Sequence, residues 1–209
     1  MGNKIINTNE VTLTGEIISG FKFNHKIGNT KFYSVLLAVD RISGNIDRII
    51  LMIPETLINV NCDYIGKYIH VTGKLTSYNK IEDNKSKLKI SVSVKTIEFI
   101  NEDELSNDSN NKVILDGYIC KPTECRKTPK TNRDVADIML AVNRVKYGVD
   151  YIPCICWGYG ARSADTFDVG TRIKITGRIQ SRDYIKKLSD TESDIRTAYE
   201  VSISELKVI

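Results

Sequence analysis

The chain has 209 residues, which exceeds the roughly 100 to 150 residues of a typical domain, so one large domain or two smaller ones are expected. Its residues are 41% apolar and 27% charged, and no apolar run is long enough to cross a membrane. The polar N-terminus, Met1 to Lys4, lacks the apolar segment of a secretory signal, so we expect a cytoplasmic protein. The formal charge of +4 lies in the second half, because residues 1–111 carry 13 basic and 13 acidic residues and residues 112–209 carry 17 and 13.

Three short patterns of the first half return in the second half in the same order. VTLTGEI, LAVDR and IHVTGKL are matched by VILDGYI, LAVNR and IKITGRI at offsets of 102, 103 and 104 residues. The pairs are residues 11–17 and 113–119, 37–41 and 140–144, and 69–75 and 173–179. Such self-similarity indicates two copies of one domain.

The segment between the copies, residues 101–112, is polar and acidic, which is typical of a linker. We therefore predict a first domain over residues 1–100 and a second over residues 113–209.

Within each copy the apolar residues alternate with a period of two, which indicates half-buried strands. In the second copy five strands are predicted, over residues 113–119, 135–144, 150–157, 171–184 and 197–208. A short helix fits residues 158–169, between the third and fourth strands. The predicted fold class is all-β, with two consecutive five-stranded OB-fold barrels that each have a short helix between strands 3 and 4.

The second copy resembles the bacterial single-stranded DNA-binding protein family. The resemblance rests on four motifs in the family's order and spacing, namely VILDGYI, LAVNR, DYIPCICWG and GTRIKITGRIQSRDY. It extends to the first copy through the repeat. What the resemblance implies is a protein that binds single-stranded DNA without sequence preference and protects or organises it in replication, recombination or repair.

In that family, strand aromatics stack on bases and basic side chains follow the phosphates. Carried over by position, the stacking aromatics are Tyr151, Trp157 and Tyr184, and the candidate phosphate ligands are Arg172, Lys174, Arg178 and Arg182. Arg144, Tyr147 and, as the counterpart of Tyr184 in the first copy, Tyr78 complete the candidate site. Each basic side chain is equally well explained as part of a solvated face.

The first copy is expected to bind more weakly. In register with the second copy it has Arg48 at the position of Tyr151 and Pro54 at that of Trp157, so both third-strand aromatics are replaced. Its binding face is therefore interpreted as degenerate.

Two expectations concern assembly. Two barrels per chain, together with the family's use of four, favour a homodimer. The family's usual acidic tail does not follow the last predicted strand, so recruitment of replication proteins through such a tail is not expected.

Other functions are weighed against this one. No cofactor or metal site is expected, since the five cysteines form no C-x-x-C pair, and Cys154 and Cys156 alternate with apolar residues as small buried side chains. The two histidines and the absence of nucleophile or phosphate-loop motifs argue against an enzyme. A tandem-OB replication-accessory or protein-interaction module, or an RNA-binding OB protein, stays open as the alternative.

Overall fold

The computed structural model describes residues 8–82, 85–105, 110–129, 131–145, 147–187 and 193–209. Within these ranges the first half forms β1 (Asn9–Ile17), β2 (Lys22–Ile27), β3 (Thr30–Asp40), β4 (Ile46–Pro54), β5 (Tyr68–Glu82) and β6 (Lys85–Ile100). The second half forms β7 (Asn111–Ile119), β8 (Glu124–Lys127), β9 (Asp134–Asn143), β10 (Val149–Trp157), α1 (Tyr159–Ala164), β11 (Arg172–Lys187) and β12 (Ser193–Val208).

Each half closes into a barrel with the same connectivity. β1 pairs with both β3 and β5, and β4 runs parallel to β6 at the closure. The second half repeats this, with β7 paired to β9 and β11 and with β10 parallel to β12. The predicted pair of OB-type barrels is confirmed. The register is also as predicted, because Ala38 pairs with Arg48 and Ala141 pairs with Tyr151 at a constant offset of 103.

The ring of each barrel has the five predicted strands, in the order β1–β3–β4–β6–β5 in the first half and β7–β9–β10–β12–β11 in the second, and each half has one further strand outside the ring. The additional strands, β2 and β8, form hairpins with β3 and β9. Almost every residue of β2 and all four of β8 are exposed. A strand with no buried face lacks the period-two apolar pattern, which is why the pattern did not indicate these two.

The predicted helix is present in the second barrel, as α1, but the prediction was wrong for the first. Residues 55–67 form turns instead, in which Asn59 Oδ1 accepts a hydrogen bond from Asn61 N and Asp63 Oδ1 accepts one from Ile65 N. Such side chains offer the backbone a local alternative to helical hydrogen bonds. In the described ranges, no helix has both the length and the apolar character needed to cross a membrane.

The inward-facing residues of each barrel form its core, as the alternation predicts. Leu13, Leu37 and Ile69 are fully buried in the first barrel. Cys154 and Cys156 are buried free cysteines in the second, as predicted, and burial raises the pKa of both thiols. They therefore behave as small apolar side chains.

The two barrels are joined edge to edge through their first strands. β1 pairs antiparallel with β7 from Asn9↔Leu115 to Leu13↔Asn111, centred on Val11↔Val113. Val11 and Val113 are counterparts in the repeat, so an approximate two-fold axis relates the barrels. β7 begins inside the predicted linker, and residues 106–109 of that linker lie outside the described residues.

A buried carboxylate adds a contact across this interface. Asp150 of the second barrel accepts hydrogen bonds from Ser77 N of the first barrel (2.7 Å) and from Arg144 Nη2 (2.7 Å). Arg144 also donates to the Ser77 carbonyl oxygen (3.0 Å). These three residues form one cross-barrel clamp.

The two-fold axis generates a second clamp from the counterpart residues. Asp47 of the first barrel accepts hydrogen bonds from Ser181 N of the second (2.6 Å) and from Arg41 Nε (2.7 Å), and Arg41 Nη2 donates to the Ser181 carbonyl oxygen (3.3 Å). The hydrogen bond to Asp47 and its negative charge raise the pKa of Arg41, which burial alone would lower. The clamps fix the long β5–β6 and β11–β12 hairpins of each barrel against the other barrel.

Candidate nucleic-acid interface

The outer face of β10 carries the two aromatics that the sequence singled out. Tyr151 and Trp157 are 47% and 41% exposed, with Pro153 and Ile155 between them on the same face. Six residues of extended strand separate the two rings by about 20 Å. The predicted shared face is confirmed, but the separation leaves each ring with its own surroundings.

Trp157 lies in a groove that is built by both barrels. We call it the Trp157 groove; its volume is about 550 Å³. The first barrel contributes Arg41, Asn45, Ile46 and Arg48. The second contributes Arg126, Ile155, Trp157, Gln180, Ser181 and Arg182, together with the acidic Asp183 and Glu200. Sequence reasoning missed Arg41, Arg48 and Arg126. The available signal for Arg41 was its repeat counterpart Arg144, which was in the predicted set.

The arginines of the Trp157 groove differ in how firmly they are held. Arg41 is engaged in its clamp, whereas Arg48 lies 3.8 Å from Asp183 with both side chains about half exposed. Arg126 makes an exposed pair with Asp137 (2.9 Å). Exposed ion pairs contribute little, at most about 1 kcal/mol, so Arg48 and Arg126 can exchange their carboxylates for phosphates at low cost.

A second hollow lies on the other side of Trp157. It is lined by Asn132, Arg133, Asp134, Trp157, Gly158 and Arg162. Gly158, at φ +59°, turns the chain from β10 into α1 and so directs Arg162 back towards Asp134 (2.6 Å). Trp157 is thus flanked by basic side chains on both sides.

Tyr184 lies in a larger groove of about 850 Å³, which we call the central groove. Its walls are the β11–β12 hairpin and residues 87–90 of β6, and Ile50 and Pro153, which are repeat counterparts, both line it. Lys87, Lys89 and Arg196 supply positive charge, and the carboxylates of Glu200 and of Asp194, which accepts a hydrogen bond of 2.9 Å from Arg196 Nε, also line the groove. Tyr184 and Trp157 therefore belong to adjacent grooves.

The basic residues predicted on β11 separate into two groups. Arg178 and Arg182 are exposed on the outer face, and Arg178 pairs with Ser202, which neighbours Ile155. Arg172 is at the opposite end of the strand, about 40 Å from Tyr184, and donates two hydrogen bonds of 2.9 Å to Asp116. The structure thus brings Arg178 and Arg182 towards the grooves and leaves Arg172 and its exposed neighbour Lys174 outside them.

The remaining predicted residues are placed as follows. Arg144 is held in its clamp, and Tyr147 is 93% exposed in the loop before β10. Tyr78 is exposed on β5, but its assignment as the counterpart of Tyr184 was wrong by two residues. The equivalent bonds of Ser77 and Ser181 place Tyr78 at the position of Arg182.

Cys125 lines a small hollow with Asp134 and Asp165. Desolvation, followed by a hydrogen bond to Asp165 and nearby carboxylates, raises the pKa of its thiol to about 11. No group of three or more metal-type ligands gathers anywhere in the described part of the chain.

Three comparisons with known proteins agree with this arrangement. Residues 110–209 match the model of the single-strand binding protein family. A single-stranded DNA-binding protein of Clostridium tetani is 36% identical over 105 residues, which are 47% of this chain and 70% of that protein. Single-stranded DNA-binding protein 3 of Clostridium acetobutylicum is 41% identical over 83 residues, 37% of this chain and 58% of that protein.

The fold of the whole chain also has a solved relative. The crystal structure of the wild-type single-stranded DNA binding protein from Thermus aquaticus superposes with a TM-score of 0.74 at 20% identity, covering 96% of this chain and 92% of that one.

Two paired OB barrels with an aromatic and basic outer face define the class as a tandem OB-fold protein. Within that class, the match of the second barrel to the family model and the 36% identity over most of the Clostridium tetani protein decide the family. The chain belongs to the single-strand binding protein family.

Proposed function

We propose that the protein binds single-stranded DNA without sequence preference. The observation that carries this proposal is the position of Trp157, half exposed in a groove lined by arginines of both barrels. A base stacks on the indole, and Arg48, Arg126 and Arg182 neutralise the adjacent phosphates. Since stacking is available to every base, the site selects the single-stranded state rather than a sequence.

The second barrel supplies the principal site, with Trp157 and Tyr184 as stacking residues. The strand continues from the Trp157 groove into the central groove, where Tyr184, Lys87 and Lys89 border its path. A protein of this kind covers exposed strands during replication, recombination or repair.

A competition between nucleic acids tests the proposal. Oligo(dT) and mixed-sequence single strands should bind with similar affinity, and a duplex of equal length should bind much more weakly. The affinity for each nucleic acid should fall as salt rises, because phosphate contacts release counterions. Fluorescence anisotropy in a salt titration measures this. Tighter binding to the duplex would refute the proposal, and a preference for the matching RNA strand would reassign the ligand to RNA.

The Arg48→Gln variant tests the contribution of the first barrel to the Trp157 groove. Loss of one phosphate contact should weaken binding several-fold and reduce the slope of log affinity against log salt by about 1. Lys174→Gln is the charge-matched control, since Lys174 is exposed but lies outside the grooves. An equal loss in the two variants would show that overall charge, not the groove, is responsible.

We also propose that the chain forms a homodimer, which would present four barrels. Two barrels already pair within each chain through β1 and β7, and two-fold association of whole chains extends that symmetry. Light scattering should give twice the chain mass of 23.6 kDa. A monomer at micromolar concentration would contradict this.

A further inference from the structure

The first barrel carries an aromatic pair where its binding face was expected to be degenerate. His25 on β2 and Phe32 on β3 lie opposite each other, with ring centroids 4.9 Å apart and ring planes 2° from parallel. His25 Nδ1 donates a hydrogen bond of 2.8 Å to Asn24 Oδ1, which orients the imidazole. The two rings therefore form a stack that exists before any ligand binds.

This stack occupies the row of the outer face that holds Trp157 in the second barrel. Across neighbouring strands, the first barrel has His25, Phe32 and Pro54, and the second has Arg126, Val135 and Trp157. The aromatic side chain is absent from β4, as the sequence showed. It is replaced by two rings on the preceding strands at the same height of the sheet.

The hairpin that carries the stack is cationic. Residues 21–34 contain three lysines and no acidic residue, within a half of the chain whose formal charge is zero. Lys26 and Lys31 lie opposite each other on the face of the hairpin that carries Tyr33, whereas Lys22 lies on the face of the stack. This hairpin is therefore suited to a polyanion.

The neighbouring row strengthens the contrast between the barrels. The first barrel has Lys22 opposite Ser34, where the second has the acidic pair Glu124 and Asp137. The row next to the stack is therefore positively charged in the first barrel, through Lys22, whereas the same row carries two carboxylates in the second.

The two-fold relation between the barrels predicts a counterpart of the Trp157 groove beside the stack. Trp157 shares its groove with Arg48 of the other barrel. In the repeat, the counterpart of Trp157 is Pro54, beside the stack, and the counterpart of Arg48 is Tyr151. Arg48 N donates to Ser181 Oγ (2.9 Å), and Tyr151 N donates to Ser77 Oγ (2.8 Å), so the symmetry holds at this point. It brings the stack to the side of Tyr151.

We propose that the His25–Phe32 stack is a second stacking site for a base of single-stranded DNA, in a groove shared with Tyr151. The inference rests on the proposed single-stranded DNA binding. It implies that a strand leaves the Trp157 groove at Arg48 and follows the outer face of β4 for about 20 Å to the stack at Pro54. Both barrels then bind bases, in two composite grooves.

The test compares Phe32→Leu with Phe23→Leu in the full chain. Phe23 is on the same hairpin but packs against Tyr33 on the opposite face, with ring centroids 5.9 Å apart. With oligo(dT) of about 35 nucleotides, Phe32→Leu should lower the affinity about five- to tenfold, and Phe23→Leu should leave it unchanged. With about 8 nucleotides, which fill only the Trp157 groove, neither variant should change the affinity or the quenching of Trp157.

Photocrosslinking of the unmodified chain to an iodouracil-substituted long oligonucleotide supplies a readout that needs no variant. Crosslinks within residues 25–32 are expected, and His25→Leu should remove those at the imidazole. An unchanged affinity of Phe32→Leu for the long oligonucleotide, or crosslinks confined to the second barrel, would overturn the inference. Failure of the parent chain to bind any single strand would instead contradict the proposed function itself.

Discussion

Replacement of Trp157 by alanine should weaken binding of single-stranded DNA by about tenfold or more. A base stacked on an aromatic side chain contributes roughly 1 to 3 kcal/mol, and no other aromatic residue lines the Trp157 groove in the described part of the chain. The arginines of the groove remain in the variant, so the slope of affinity against salt should change little. Anisotropy titrations at several salt concentrations separate these two effects.

Two further variants make that result specific. Trp157→Phe keeps a ring at the site and should retain most of the affinity. Phe99→Ala removes a similarly exposed ring on β6 that contacts Tyr64 outside both grooves, and should leave binding unchanged. Equal affinities for Trp157→Ala and the parent chain would rule out the indole as the principal stacking residue.

Replacement of Asp47 by alanine should lower the free energy of unfolding by about 3 to 5 kcal/mol. The Asp47 side chain is fully buried, so its removal leaves Arg41 without its counter-charge and Ser181 N without its acceptor. Because the clamp joins the barrels, the loss affects the interface as well as the first barrel. Urea denaturation followed by circular dichroism measures the change.

The matched control is Asp137→Ala. Asp137 also binds an arginine through two hydrogen bonds, but its side chain is 38% exposed. Exposed pairs of this kind contribute less than about 1 kcal/mol. If both variants lost the same stability, burial of the Asp47 clamp would not be the cause of its effect.

The internal repeat and the period-two pattern were enough to predict two barrels, their register and the shared outer face of Tyr151 and Trp157. β2 and β8 were missed because nearly all of their residues are exposed, so no apolar alternation marks them. The absent helix of the first barrel follows from Asn59 and Asp63, whose side chains bond the backbone locally. Hydrogen bonds between polar side chains and the nearby backbone do not change the apolar pattern, so the pattern does not reveal them.

The full set of residues in the site could not be predicted from either barrel alone, because both barrels contribute to it. In the sequence, Arg48 was noted only as the replacement of an aromatic residue in the first barrel. In the structure it lines the groove of Trp157 in the second barrel. Arg144 was included in the candidate binding site, but its partners are Asp150 in its own barrel and the carbonyl of Ser77 across the interface. Such contacts arise only when β1 pairs with β7, which the linker composition did not predict.

The emission of Trp157 tests the central claim most directly, because it is the only tryptophan of the chain. A labelled oligo(dT) is titrated with the 209-residue chain at low salt, and anisotropy and tryptophan emission are recorded on the same samples. The account predicts that the quenching of Trp157 is proportional to the fraction of the protein that is bound to the oligonucleotide. The quenching should reverse when salt releases the strand. Saturable binding by anisotropy with unchanged Trp157 emission would contradict it.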